Sequence, residues 1–96
     1  MIDFEGFVQE QLEWADATFP DQTVQGKLDH CHEELNEAAA HPEDVMEFAD
    51  CAMLILDANR KAGHSVEELL EAMHLKLGIN RARTWKNYRH CAEPRL

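Results

Sequence analysis

Apolar residues recur at steps of three and four along nearly the whole chain, and no stretch alternates as a half-buried strand does. That period commits the chain to packed helices. Phe4, Val8, Leu12, Ala15 and Phe19 mark a first helix, which Pro20 stops. Thr23 is an N-cap candidate for a second, whose seam is Val24, Leu28, Cys31, Leu35 and Ala38. His41-Pro42 ends it. Pro42 suits the first turn of a third helix reaching Ala62, and Glu43 and Asp44 favour its positive end. Within that helix the run from Cys51 to Leu56 is apolar all round and is expected to be the most buried segment. Gly63 suits the position just past a helix C-terminus. Ser65 and Glu68 read as a capping box opening a fourth helix, with Val66, Leu69, Leu70, Met73 and Leu77 on one stripe and an end near Thr84. Residues 85–96 carry no assignable period. Short turns between four helices predict an all-α, four-helix up-and-down bundle forming one domain over residues 1–96.

Charge narrows the function. Nine Lys and Arg against 19 Asp and Glu give a formal net charge of −10. Nucleic-acid polymers need clustered cations, so they are excluded as partners, and so is an anionic membrane surface. No apolar run approaches the roughly 20 residues that span a bilayer. Residues 1–5 lack the basic region of a signal peptide, and an odd count of three cysteines fits free thiols in a reducing cytoplasm. A chain of 96 residues buries only about two-thirds of its unfolded surface, which favours assembly as a dimer or tetramer.

The acidity is not evenly spread. Glu34 and Glu37 stand three apart on the second helix, and Glu47 and Asp50 three apart on the third, so each pair shares a helix face. The tight turn at His41-Pro42 makes these helices antiparallel neighbours and brings both pairs to one end of the hairpin. Four converging carboxylates repel unless neutralised, and an all-oxygen, highly charged set suits hard divalent cations such as Mg²⁺ or Mn²⁺. The fourth helix adds a second anomaly. Continuing its apolar stripe places Asn80 near the centre, flanked by Lys76 and Arg83. An inward cation, amide and guanidinium need anionic partners, supplied either by the acidic cluster or by a polyphosphate held beside metal ions.

These residues carry a resemblance. Glu33-Glu34-Leu35-Asn36-Glu37 followed by Glu47-Phe48-Ala49-Asp50 resembles the EExxE…ExxD signature of the MazG-like all-α nucleoside triphosphate pyrophosphohydrolases. The later run Lys76, Asn80, Arg83 and Trp85, with Asp29-His30 before the first motif, resembles the dATP/dGTP pyrophosphohydrolase branch, often carried by phages. The likeness spans roughly residues 12–89. It implies a helical oligomer in the (host) cytoplasm that hydrolyses nucleotides to monophosphate and pyrophosphate. By the family motif, Glu34, Glu37, Glu47 and Asp50 would ligate Mg²⁺. Glu33 would help orient or deprotonate the attacking water, with Glu37 also close to the reaction. Lys76 and Arg83 would meet phosphates, Asn80 sugar or phosphate, and either Trp85 or Trp14 could stack on a purine, though aromatics at helical spacing are more often core.

Other sites read as structural. Adjacent residues on a helix diverge by about 100°, so His30-Cys31-His32 cannot chelate one zinc ion. Glu71-x-x-His74 lacks the second copy that a di-iron bundle needs. No glycine-rich phosphate loop is present, which leaves phosphate to side chains and metals. Two alternatives remain open: a non-catalytic acidic helical interaction protein, and the same chemistry on another nucleotide such as phosphoribosyl-ATP.

Overall fold

A computed structural model describes residues 1–84 of the chain, so Trp85 and Cys91 lie outside the described residues. Four helices follow one another: α1 (Phe4–Thr18), α2 (Val24–Ala40), α3 (Val45–Lys61) and α4 (Val66–Ala82). No strand occurs among the described residues. Among them, no helix is long and apolar enough to cross a membrane.

Local chemistry sets the boundaries. The Asp3 carboxylate accepts from the Gly6 N–H at 3.2 Å and opens α1. Thr23 Oγ1 accepts from the Gly26 N–H at 3.0 Å and opens α2. The capping box is present in full, with the Glu68 N–H donating to Ser65 Oγ at 3.1 Å and the Ser65 N–H donating to Glu68 Oε1 at 2.8 Å. Gly63 takes the left-handed conformation, φ 97°, that closes α3 at little cost only for glycine. Asn59 Nδ2 donates to the Ser65 carbonyl at 3.2 Å and ties the end of α3 to the start of α4.

Helix α3 begins three residues later than Pro42 would have it. The Asp44 N–H donates to the His41 carbonyl at 3.0 Å, closing a turn over residues 41–44. The Asp44 carboxylate then caps the Met46 N–H at 3.0 Å. Pro42 therefore serves the turn, and Asp44, rather than being a charge inside the first turn, is the cap. Helix α4 stops at Ala82, with Arg83 already extended, slightly short of Thr84.

The α2–α3 hairpin is the most closely packed pair, and α1 lies against α3. Buried apolar side chains come from α1 (Val8, Leu12, Ala15), α2 (Cys31, Ala38) and α3 (Leu54, Ala58). Two expectations change here. The run from Cys51 to Leu56 is not enclosed all round: Leu54 is buried, Cys51, Met53 and Leu56 are half-buried, and Ala52 and Ile55 are exposed. And α4 buries no residue, because it leans on α3 instead of filling the fourth corner of a bundle. The stripe residues Leu70, Met73 and Leu77 are exposed, as are Leu28 and Leu35 on α2.

Candidate metal centre

The hairpin geometry follows from spacing on both helices. Lys27 and Glu34 are two turns apart on α2, and Asp50 and Asp57 are two turns apart on α3. Running antiparallel, the helices face Lys27 with Asp57 at one level and Glu34 with Asp50 at the other.

At the second level three carboxylates meet. Glu34, Glu47 and Asp50 each offer an oxygen, and these oxygens lie within 4.8 Å of one another. Glu34 and Glu47 are half-buried and Asp50 is exposed. Partial burial holds the Glu47 carboxyl above its ordinary value of 4.5, and the negative charges of Glu37, Asp44, Asp50 and Glu34 push it further up. Among the described residues, every charged group that shifts it is another acid, so they gather negative potential at this point. Three oxygen donors at this spacing, with neighbouring charge, fit a hard divalent cation; the set contains none of the sulfur or imidazole that favours zinc or copper.

The candidate residues do not all converge. Glu37 is exposed, outside the three-oxygen set, yet it is the foremost charge acting on Glu47. Glu33 is exposed on α2. Lys76 on α4 and Arg83 just past its end are exposed and Asn80 is half-buried, so the face expected to turn inward is not enclosed by the described residues. His30 Nε2 lies 3.3 Å from Glu34 Oε1. Cys31 is buried, with its Sγ 3.8 Å from the Cys51 carbonyl, as a small core residue would be.

A cleft of about 310 Å³ opens beside the acids. Glu34, Asp50 and His30 line one part of it. Gln11, Trp14, Phe19, Lys27 and Asp57 are among the residues that line the rest. Lys27 Nζ sits 3.2 Å from Asp57 Oδ2, with only 3% and 7% of the two side chains exposed. Gln11 Nε2 donates to the other Asp57 oxygen at 2.8 Å. Lys27 Nζ also stands 4.6 Å from the Phe19 ring centre, and that ring meets Trp14 edge-to-face at 5.6 Å. One charged knot thus joins α1, α2 and α3. Gln11, Lys27 and Asp57 belong to no motif. Their signal in the sequence is positional: Lys27 falls between Val24 and Cys31 on the α2 seam, and Asp57 lies between Leu54 and Ala58 on α3.

The described residues thus present an acidic cluster on a helical hairpin beside a cleft. The model of the dATP/dGTP pyrophosphohydrolase family matches residues 7–96, and the chain belongs to that family. It is 44% identical over 88 residues to the Eaa protein of Salmonella phage P22, covering 92% of this chain and 27% of that protein. It is 39% identical over 74 residues to a protein of Salmonella phage PMBT28 named dATP/dGTP diphosphohydrolase, covering 76% of this chain and 24% of that one. The chain thus spans about a quarter of the length of these curated relatives. No solved structure matches it.

Proposed function

We propose that the chain catalyses Mg²⁺-dependent hydrolysis of dATP and dGTP between the α- and β-phosphates, releasing monophosphate and pyrophosphate. The observation that carries the reading is the meeting of Glu34, Glu47 and Asp50 oxygens within 4.8 Å beside a cleft of about 310 Å³. Glu34, Glu47 and Asp50 would hold the cation, with Glu37 as a fourth acid next to Glu47. A bound Mg²⁺ (Mn²⁺ could replace it) neutralises charge on the phosphates and lowers the pKa of a coordinated water. Glu33 and Glu37 are the carboxylates that would orient the attacking water and take up its proton. Lys76 and Asn80, four apart, share one side of α4, and Arg83 follows just past its end; this cation, amide and guanidinium suit a polyphosphate. Trp85, beyond the described residues, and Trp14, within the cleft, are the aromatic candidates for the base.

Self-association completes the reading. Leu28 and Leu35, two turns apart on α2, Ile55 on α3, and Leu70, Met73 and Leu77 on α4 are all exposed. Apolar side chains repeated at helical spacing support a second copy covering them, as a dimer or tetramer. The free thiols Cys31 and Cys51, with phage relatives, support a reducing host cytoplasm.

The test is incubation with a panel of nucleoside triphosphates and Mg²⁺, followed by separation of products. Monophosphate plus pyrophosphate from dATP and dGTP is expected. Glu47→Gln should reduce turnover by at least about 100-fold with helicity intact. Folded protein that turns over no nucleotide with either Mg²⁺ or Mn²⁺ refutes the proposal.

A further inference from the structure

The cleft has two chemically different ends. One is acidic, at Glu34 and Asp50. The other, at the level of Lys27 and Asp57, lies two helical turns away, about 10 Å along either helix. That offset is comparable with the reach from a nucleotide's α-phosphate to the far edge of its base. The second end has an aromatic wall, Trp14 against Phe19, and one buried amide, Gln11.

Hydrogen bonding fixes the orientation of that amide. Asp57, paired with Lys27, is an acceptor only, so the NH₂ group of Gln11 must face it. The carbonyl side, Oε1, is left buried and without a hydrogen-bond partner among the described residues, in a residue only 5% exposed. An unsatisfied buried acceptor is costly, and an N–H donor relieves that cost. Resting on the nucleotide reading above, we propose that this end of the cleft is the nucleobase subsite and that Gln11 Oε1 accepts an N–H from a purine. Adenine supplies it from the 6-amino group, guanine from N1–H or the 2-amino group. Oε1 has no solvent contact, so side chains lining the cleft must shift for a base to reach it. Trp14, 55% exposed, is the side chain with room to turn and then stack on the purine. The Lys27–Asp57 pair acts through Gln11: it positions the amide and does not touch the base.

The experiment compares dATP with its analogue lacking the 6-amino group, 2′-deoxynebularine triphosphate. Wild-type kcat/KM should fall by about 10- to 100-fold on loss of the amine, and Gln11→Met should treat the two substrates alike. Circular dichroism checks that Gln11→Met folds. Trp14→Ala, at an exposed position, provides a second variant and should raise KM by about tenfold in protein that circular dichroism shows to be folded. A readout free of turnover is quenching of tryptophan fluorescence by dAMP, expected in wild type and absent in Trp14→Phe. Equal wild-type rates on both substrates, undiminished discrimination in Gln11→Met, or quenching that survives Trp14→Phe would each overturn the subsite. Quenching lost with Trp14 in a protein that hydrolyses nothing would overturn the activity and leave the subsite standing. Normal hydrolysis with no effect of Gln11 or Trp14 would do the reverse.

Discussion

Asp57→Asn should come close to unfolding this protein, although it only exchanges a carboxylate for an amide of the same shape. Lys27 and Asp57 sit 3.2 Å apart with 3% and 7% of their side chains exposed, so neither charge is solvated by water. The substituted amide can still accept from Gln11 Nε2, but the Lys27 charge loses its counter-ion. Removing one partner of a buried pair typically costs about 3–5 kcal/mol, because the remaining charge stays buried. Domains of this size have a total stability of about 5–15 kcal/mol. At about 4–8 °C per kcal/mol, the Tm should fall by at least about 12 °C. The measurement is thermal and urea unfolding followed by circular dichroism at constant protein concentration, since self-association would otherwise shift the midpoint. The same argument predicts rescue. Lys27→Met in the Asp57→Asn background removes the stranded charge, and an apolar replacement of a buried pair is often neutral or stabilising. Most of the lost Tm should return, giving a coupling of about 2 kcal/mol or more in the double-mutant cycle. A fall under about 3 °C for Asp57→Asn, or additive effects of the two substitutions, would show that Lys27 is solvated or paired elsewhere.

Mg²⁺ should stabilise the folded state: at 100 times its Kd a ligand binding only that state adds about 2.7 kcal/mol, or roughly 10–20 °C in Tm. The Glu34→Gln/Asp50→Asn protein should show no such rise in a differential scanning experiment, and a retained rise would place the ion elsewhere. Ser65→Ala removes the acceptor for the Glu68 N–H and should cost about 1 kcal/mol, read as a lower urea midpoint. The backbone N–H of Ser65, and then its hydroxyl, hold the Glu68 carboxyl below its ordinary 4.5. A lowered folded-state pKa means that the stability this carboxylate contributes is fully present above its ordinary value and is lost as pH falls through the lowered one. The stability gap between wild type and Glu68→Ala should therefore narrow only in acid, and a gap that stays constant down to about pH 2 would contradict the capping account.

How much was legible in the sequence depends on the range of the interaction concerned. Thr23, Gly63 and the Ser65–Glu68 box could be read directly, because each acts within three or four residues of itself. Near Pro42 two local signals competed. Proline at a first helical turn and aspartate at an N-cap cannot both hold when they stand only two positions apart, and the turn bonded from Asp44 to His41 decided for the cap. Burial was legible only as a pattern. The α4 stripe of Leu70, Met73 and Leu77 has the right period, but period says nothing about what covers it, and among the described residues nothing does. The same reason places Lys76 and Arg83 at the surface: their inward reading presumed a fourth corner that the described helices do not close.

The candidate site divides along the same line. Two pairs of acids three apart on neighbouring helices had to meet near one end of a hairpin, and three of the four carboxylates do so. Which three depends on side-chain rotamers that no spacing fixes. Lys27 and Asp57 lie in positions where period asks for apolar residues, and opposite charges misplaced on both partners of a hairpin are a signal in their own right. The two levels also act together. Like charges at Glu34 and Asp50 push α2 and α3 apart, while Lys27 and Asp57, two turns along the same helices, pull them together. A hairpin held by the acids alone would need a cation to keep its register. With the buried pair in place, register is set beforehand, and a cation of the kind proposed for Glu34, Glu47 and Asp50 would meet oxygens already gathered. That preorganisation is a physical reason for a small domain to retain a buried ion pair that an apolar pair could replace without loss of stability.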